Sequence, residues 1–160
     1  MIDFKKVQGI AFDFDGVFTD NRVIVCQNGD ESVICSRFDG LGLSKLKQLN
    51  IPITVISTES NVVVKKRCEK LNIPVIYDCS DKKSAFETWV NENHLNSDFV
   101  IFMGNDINDY EVMNSIPYTV AVADAVPEIL NCAQFVTTKC GGAGAVREIC
   151  DIIAEHKAKT

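Results

Sequence analysis

Short apolar runs alternate along the chain with stretches whose apolar residues recur every three or four positions. The apolar runs are too short for ordinary helices and lack polar alternation, so they predict buried strands. They lie at 9–14, 51–57, 74–78, 99–104 and 118–123. Strands that are apolar throughout and alternate with helices form a parallel sheet with helices on both faces. The pattern therefore predicts an α/β fold with a doubly wound, Rossmann-like parallel sheet.

Helical spacing predicts three helices between the strands, beginning near Asp39, Ser60 and Asp81, with Asp39 as a candidate N-cap. A short helix is expected near 109–114. A C-terminal helix is expected to bury one apolar face, formed by Val146, Ile149, Cys150 and Ile153. Two β-rich runs flank Asn28-Gly29, a pair that tolerates positive φ, so they predict a hairpin that forms a flap over about 20–37.

Composition limits the organisation and the partners. A chain of 160 residues with 46% hydrophobic content is expected to form one domain, over 1–160. The net charge of −6 argues against nucleic acid or an anionic membrane as the main partner. Seven cysteines without a CxxC pair, and no signal-like stretch after Met1, favour a reduced cytoplasmic protein. No apolar run approaches the roughly 20 residues of a membrane span.

Polar residues that could carry chemistry cluster where the predicted strands end. Asp13 and Asp15 close the first strand, Ser57 and Thr58 follow the second, and "GNDIND" (104–109) follows another. Lys82 opens the helix after the strand at 74–78. Ligands of open α/β sheets bind at the carboxyl ends of the strands. We therefore expect these side chains to share one crevice.

Two carboxylates as close as Asp13 and Asp15 repel each other unless a cation lies between them. Oxygen ligands favour a hard divalent ion, and Mg²⁺ fits best. Asn105, Asp106 or Asp109 could complete the metal shell. A metal-neutralised phosphate can be attacked by a carboxylate, so the pair is interpreted as a nucleophile and its acid/base neighbour.

The sequence "DFDGVFTD" (13–20), a Ser/Thr after an apolar strand, a lysine at a helix start and "GNDxxD" resemble, in order, the four motifs of haloacid dehalogenase-like phosphatases. The resemblance implies a phosphoric monoester hydrolase with Asp13 as nucleophile and Asp15 as general acid/base. It also implies that Asp15 binds Mg²⁺ through its carbonyl, Ser57 binds phosphoryl oxygens and Lys82 holds the nucleophile. Many relatives have an acid where this chain has Asn105, so Asn105 and Asp106 both remain metal candidates.

The hairpin and "CGGAGAVREICD" (140–151) resemble a capless branch that dephosphorylates 2-keto-3-deoxy sugar acids of sialic acid or lipopolysaccharide biosynthesis. Glu59 with Lys70 is similar to the type that acts on nonulosonate 9-phosphates, which is the preferred expectation. The alternative is 3-deoxy-D-manno-octulosonate 8-phosphate. Thr58 and Arg37 are further substrate-binding candidates. The glycines of "CGGAG" (140–144) are interpreted as a flexible entry to the last helix.

No connection is long enough for a cap domain. In the branch that the chain resembles, a neighbouring subunit's hairpin covers the site in a homotetramer, and the same is expected here. Two other functions stay open. Asn105 motivates a weakly active oligomerisation or regulatory domain like those attached to cytidylyltransferases. A mutase, which passes the phosphoryl group to a sugar hydroxyl, is disfavoured by the missing cap.

Overall fold

The computed structural model describes residues 1–159. The strands are β1 (Gly9–Phe12), β2 (Ile24–Val25), β3 (Glu31–Ser32), β4 (Ile53–Ile56), β5 (Val75–Ile76), β6 (Val100–Gly104), β7 (Thr119–Ala121) and β8 (Phe135–Val136). The helices are α1 (Phe38–Gln48), α2 (Val62–Leu71), α3 (Lys82–Glu92), α4 (Tyr110–Met113), α5 (Pro127–Cys132) and α6 (Ala145–Ala158). Short 3₁₀ turns lie at Phe4–Lys6, Ser97–Phe99 and Ile107–Asp109.

Six of the strands form one parallel sheet in the order β5-β4-β1-β6-β7-β8. The chain runs outward from β1 through β4 and β5, then returns to the other side of β1 with β6. Ile10 of β1 is paired with Ile53 on one side and Ile101 on the other. This reversal between β1 and β6 is a topological switch point, where doubly wound sheets open a crevice at their carboxyl ends. The predicted fold class is confirmed.

The sheet is covered by helices, and α1 packs closely against α6. The four apolar residues predicted for the inner face of the C-terminal helix are all buried. The predicted N-cap of α1 is wrong, because the helix begins at Phe38 with Arg37 as its N-cap and no side-chain capping bond. Asp39 lies inside the first turn and is almost fully buried.

Two elements, α5 and β8, have no counterpart in the sequence prediction. The helix has six residues and begins with Pro127, and the strand has two. Neither is long enough to show a periodic pattern, which is the signal on which prediction from one sequence depends. They follow β7 and extend the sheet at the edge away from β5.

The hairpin β2–β3 stands apart from the main sheet and is paired over only two residues in each strand. Gly29 adopts φ 87° in its turn, as the Asn28-Gly29 signal predicts. Four apolar side chains of this segment are exposed, namely Val23, Ile24, Val25 and Ile34. No helix within residues 1–159 is long and apolar enough to cross a membrane.

Candidate active site

Asp13 lies one residue beyond β1, at the switch point between β1 and β6. Its N–H donates to the carbonyl of Met103 on β6 at 2.9 Å, so the sheet itself fixes its position. Its Oδ1 accepts the N–H of Phe14 at 2.7 Å. The side chain of Phe14 is fully buried, so the first residue of the loop is anchored in the core.

Lys82 lies between two buried carboxylates. Its Nζ is 2.6 Å from Asp13 Oδ1 and 2.7 Å from Asp109 Oδ1. Asp81 caps α3 by accepting the N–H of Ser84, which sets Lys82 as the first residue of the helix. Asp109 is held by the N–H groups of Asn105 and Asp106, which both donate to its Oδ2. Three strand ends are thereby joined into one buried charge network.

Burial and the nearby Asp109 raise the pKa of Asp13 to about 8, against the attraction of Lys82. Burial lowers the pKa of Lys82, but Asp13 and Asp109 together raise it above its usual value, so the lysine stays charged. Burial, Glu59 and Glu31 raise the pKa of Asp15, with Lys82 opposing them. The raised pKa favours the protonated form of Asp15, which is the form that a general acid needs. A divalent cation beside Asp13 would favour the ionised form that a nucleophile needs.

The side-chain amide of Asn105 points one terminal atom at two oxygens. That atom is 2.9 Å from the main-chain carbonyl oxygen of Asp15 and 3.1 Å from Asp13 Oδ2. With nitrogen in this position, the amide donates to both oxygens. With oxygen there, three oxygens converge without a proton between them, and a cation must offset their repulsion.

Three such oxygens fit a hard divalent cation. Neighbouring ligands on an octahedral Mg²⁺ with bonds of about 2.1 Å lie about 3 Å apart, which matches the spacing around Asn105. Within residues 1–159 no group of three or more His, Cys, Asp or Glu side chains could hold a metal ion. The set instead combines one carboxylate, one main-chain carbonyl and one amide.

The loop after Asp15 is closed by glycines from the far end of the chain. Gly16 adopts φ 78°, and its N–H donates to Thr19 Oγ1. A Cβ on Gly141 would overlap the carbonyl oxygen of Gly16, and one on Gly142 would crowd the main chain of Asp20. The glycines do lead into the last helix, as predicted, with Gly144 as the N-cap of α6. Gly141 and Gly142 have a second role, because they lie where two main-chain segments touch.

Two cavities meet at this loop. The inner cavity, about 230 Å³, is lined by Asp13, Asp15, Asn21, Thr58, Asn105, Asp106, Ile107 and Asn108. The outer cavity, about 250 Å³, is lined by Phe14, Asp15, Asn21, Arg22, Val23, Glu31, Val33, Glu59, Asn61, Val63 and Val64. The outer cavity is bounded by the hairpin on one side and the start of α2 on the other. Asn61 Nδ2 donates to Glu31 Oε2 at 2.9 Å and joins these two sides.

The structure brings most of the predicted site residues together. Ser57 is buried and lines neither cavity, although the next residue, Thr58, lines the inner one. The Oγ of Ser57 accepts the N–H of Glu59 at 3.1 Å. Arg37 and Lys70 line neither cavity. Asp106 lines the inner cavity and caps the 3₁₀ turn that follows it.

Asp109, an alternative metal ligand in the sequence, instead bonds to Lys82 and to two main-chain N–H groups. Sequence reasoning missed Asn21, which lines both cavities, and Asn108, whose Nδ2 donates to Thr58 Oγ1 at 3.2 Å. The signal for Asn108 was its place inside "GNDIND". For Asn21 the sequence held no signal except that the residue directly follows the first motif.

The model of the haloacid dehalogenase-like hydrolases matches residues 43–149, more than half of the chain. This chain belongs to the haloacid dehalogenase-like hydrolase family. A 3-deoxy-D-manno-octulosonate 8-phosphate phosphatase of Salmonella typhi is 32% identical to it, over 99% of this chain and 85% of that protein.

Two solved structures of this family are similar throughout. The 3-deoxy-D-manno-octulosonate 8-phosphate phosphatase of Yersinia pestis has a TM-score of 0.93 at 30% identity, over 98% of this chain and 85% of that one. The enzyme of the same name from Moraxella catarrhalis, in complex with magnesium, phosphate and KDO, has a TM-score of 0.92 at 28% identity, over 98% and 90%. The predicted class, a phosphoric monoester hydrolase of this family, is confirmed. The preference for nonulosonates finds no support in these relatives, whose names match the alternative substrate.

Proposed function

We propose that this protein is a Mg²⁺-dependent phosphatase that hydrolyses 3-deoxy-D-manno-octulosonate 8-phosphate. The observation that carries the phosphatase chemistry is Lys82 Nζ at 2.6 Å from Asp13 Oδ1, beside the oxygens that converge at Asn105. The proposed substrate is supported by the names of relatives that align over nearly the whole chain. It belongs with lipopolysaccharide biosynthesis, the second of the two pathways expected from the sequence.

In the first step, a carboxylate oxygen of Asp13 attacks phosphorus, and the bond from phosphorus to the sugar oxygen breaks. Asp15 donates its proton to that leaving oxygen, which departs as the free alcohol. Lys82 stays charged beside Asp13 and offsets the negative charge of the phosphoryl group as it meets the carboxylate. The product is an aspartyl-phosphate on Asp13.

In the second step, water attacks phosphorus and Asp15 takes one of its protons. The bond between Asp13 and phosphorus breaks, which releases inorganic phosphate and restores both carboxyl groups. Thr58 lines the inner cavity, and its hydroxyl is a candidate to bind a phosphoryl oxygen, together with that of the preceding Ser57. Mg²⁺ held by Asp13, the Asp15 carbonyl and Asn105 would neutralise phosphate charge and lower the repulsion that the nucleophile meets.

The test is phosphate release from 3-deoxy-D-manno-octulosonate 8-phosphate and from a nonulosonate 9-phosphate, each with Mg²⁺ and with EDTA. We expect kcat/KM to favour the octulosonate by about tenfold or more, corresponding to one or two additional contacts. We also expect EDTA to abolish both activities. A higher kcat/KM for the nonulosonate 9-phosphate would show that the nonulosonate, and not the octulosonate, is the preferred substrate. No release from either, by a folded protein, would favour the regulatory domain instead.

We also propose a homotetramer in which the hairpin covers the crevice of a neighbouring copy. Its support is the row of exposed apolar side chains on the hairpin, since contiguous apolar surface marks interaction sites. Val25→Glu should dissociate the assembly in sedimentation equilibrium. Leu49→Glu is the matched control. Leu49 is also apolar and exposed, but it lies at the carboxyl-terminal end of α1, whereas the hairpin precedes the amino-terminal end of that helix. A wild-type monomer at micromolar concentration would contradict the proposal.

A further inference from the structure

Asn21 holds a special position between the two cavities. Asp15 and Asn21 are the two residues that line both the inner and the outer cavity. If the proposed function holds, the phosphate occupies the inner cavity beside Asp13, and the leaving group extends into the outer one. The bond that breaks must then lie between Asp15 and Asn21.

The main chain of Asn21 adopts φ 65°, a left-handed conformation that suits glycine best. Three of the other four non-glycine residues with positive φ are explained by helix ends. Asn50, Asn72 and His94 follow α1, α2 and α3, where a left-handed residue commonly ends a helix. Asn21 follows no helix and lies in the candidate active site. A strained residue at such a place motivates a functional hypothesis.

The side chain of Asn21 also lacks a partner. Three side chains with N–H donors line the outer cavity: Asn21, Arg22 and Asn61. Arg22 donates to Asp20, and Asn61 donates to Glu31. The Asn21 carboxamide makes no hydrogen bond with any residue of the described chain, although its N–H donates to Thr19 Oγ1 at 3.1 Å. The turn is thus held by the main chain, and the amide is left free to bind another group.

The surrounding charges define what this amide can bind. Glu31 and Glu59 line the outer cavity and, when ionised, only accept hydrogen bonds. Of the three side chains with N–H donors in that cavity, Asn21 is the one that also lines the inner cavity, so its amide lies at the junction where the scissile bond is expected. We propose that Asn21 is a substrate-binding residue whose carboxamide donates to an oxygen of the leaving group beside the scissile bond.

The test compares Asn21→Gly and Asn21→Asp with the wild type. Glycine keeps the left-handed main chain and removes the amide, whereas aspartate keeps the shape and replaces the donor with an acceptor. The substrates are 3-deoxy-D-manno-octulosonate 8-phosphate, a panel of other sugar phosphates and p-nitrophenyl phosphate, whose aryl group lacks hydroxyls. Inhibition by orthovanadate reports on the inner cavity alone.

We expect Asn21→Gly to lower kcat/KM for the sugar phosphate about tenfold, mainly through KM, which is the effect of losing one good hydrogen bond. Activity on p-nitrophenyl phosphate and inhibition by orthovanadate should change less than twofold. Asn21→Asp should lose at least as much on the sugar phosphate. Asn72→Gly, the same change at φ 53° outside both cavities, is the control for the main chain and should change none of these values.

Equal losses on the sugar and aryl substrates, or full activity of either Asn21 variant on the sugar phosphate, would overturn the inference. The proposed function fails differently. If the wild type hydrolyses another sugar phosphate but not the octulosonate, the proposed substrate is wrong. The role of Asn21 is then tested on that other sugar phosphate, and Asn21→Gly must lower this activity more than the activity on p-nitrophenyl phosphate. A folded wild type that hydrolyses no phosphomonoester would overturn both.

Discussion

The inner and outer cavities meet at Asp15 and are built from different parts of the fold. The inner cavity is formed by loops that leave the central strands β1 and β6, and buried ion pairs join those loops. The outer cavity is bounded by a hairpin paired over two residues in each strand. The sheet thus fixes the groups that react with phosphorus, while the leaving group is met by a separate element that can differ without disturbing them.

Buried carboxylates have different bonding partners around the inner cavity and in α1, the helix that follows the hairpin. Asp13 and Asp109 share Lys82 in the inner part. Asp39, in the first turn of α1, has neither side-chain oxygen in a hydrogen bond to another described residue. Burial raises the pKa of Asp39 to about 6, although the nearby main chain of Arg147 and the charge of Arg67 oppose the shift. The buried carboxylates of the inner part thus share a bonded cation, whereas the buried carboxylate of α1 has no bonded cation.

The largest expected effect lies in the inner cavity. Asp13→Asn removes the proposed nucleophile with almost no change of shape, so phosphate release should fall about a thousandfold or more. Stability to urea should not fall, because one of two carboxylates that share Lys82 is neutralised. Asp98→Asn, at an exposed position, is the control and should keep full activity. Activity within tenfold of the wild type would remove Asp13 from the mechanism.

Lys82→Met should destabilise the folded protein, because it leaves the carboxylates of Asp13 and Asp109 buried without a cation. Removing one partner of a buried ion pair lowers the free energy of unfolding by about 3–5 kcal/mol. Urea unfolding at pH 8 would measure this loss. The loss should shrink as the pH falls towards 6, because the unpaired carboxylates can then take up protons.

The double variant Lys82→Met/Asp109→Asn should recover part of the lost stability, since it removes one of the two stranded charges. The neighbouring Lys83→Met, at an exposed position of the same helix, should unfold like the wild type. A similar loss in Lys83→Met would show that the helix, and not the charge network, is responsible.

Asp39→Asn tests the other half of this comparison, the buried carboxylate of α1 that has no bonded cation. The unfolded chain titrates near 3.8 and the folded protein near 6, so between these values the folded protein binds more protons at this site. Its free energy of unfolding therefore falls as the pH rises through this window. Removing the charge should stabilise the protein by roughly 1–3 kcal/mol at pH 8 and by much less at pH 5. A gain that does not depend on pH would contradict the assignment to this carboxyl.

Asn105→Asp should give the smallest effect and addresses the metal directly. An added carboxylate increases the negative charge of the ligand set, so half-maximal activation should need about tenfold less Mg²⁺. Without Mg²⁺ the variant should be less stable than the wild type, because the new charge adds to that of Asp13. Unchanged Mg²⁺ dependence would exclude the Asn105 side chain from the metal shell.

The sequence predicts the elements around the inner cavity well, because continuous apolar runs mark the buried strands and the four motifs lie just beyond their carboxyl ends. The pairing of Lys82 with Asp109 could not be predicted from the sequence. The two residues are 27 positions apart, and Asp106 and Glu111 lie at similar separations from Lys82. Only the folded loop shows which acid turns inward.

Recognition of the leaving group was predicted less well. Arg37 is a candidate through its charge and Lys70 through the resemblance to the nonulosonate type. Position in three dimensions decides which cations reach a cavity, and these two line neither cavity. Asn21 was overlooked because a single amide in a turn has no pattern. Glu59 does line the outer cavity, although the relatives do not support the substrate it suggested.

The contact of Gly141 and Gly142 with the loop at 16–20 has a consequence for biosynthesis. Ribosomes make the amino-terminal part of a chain first. A nascent chain that has emerged as far as residue 139 already contains both aspartates of the first motif, Lys82 and Asn105. It still lacks the segment against which the loop at 16–20 is packed, so the first motif to be translated is the last part of the crevice to be completed.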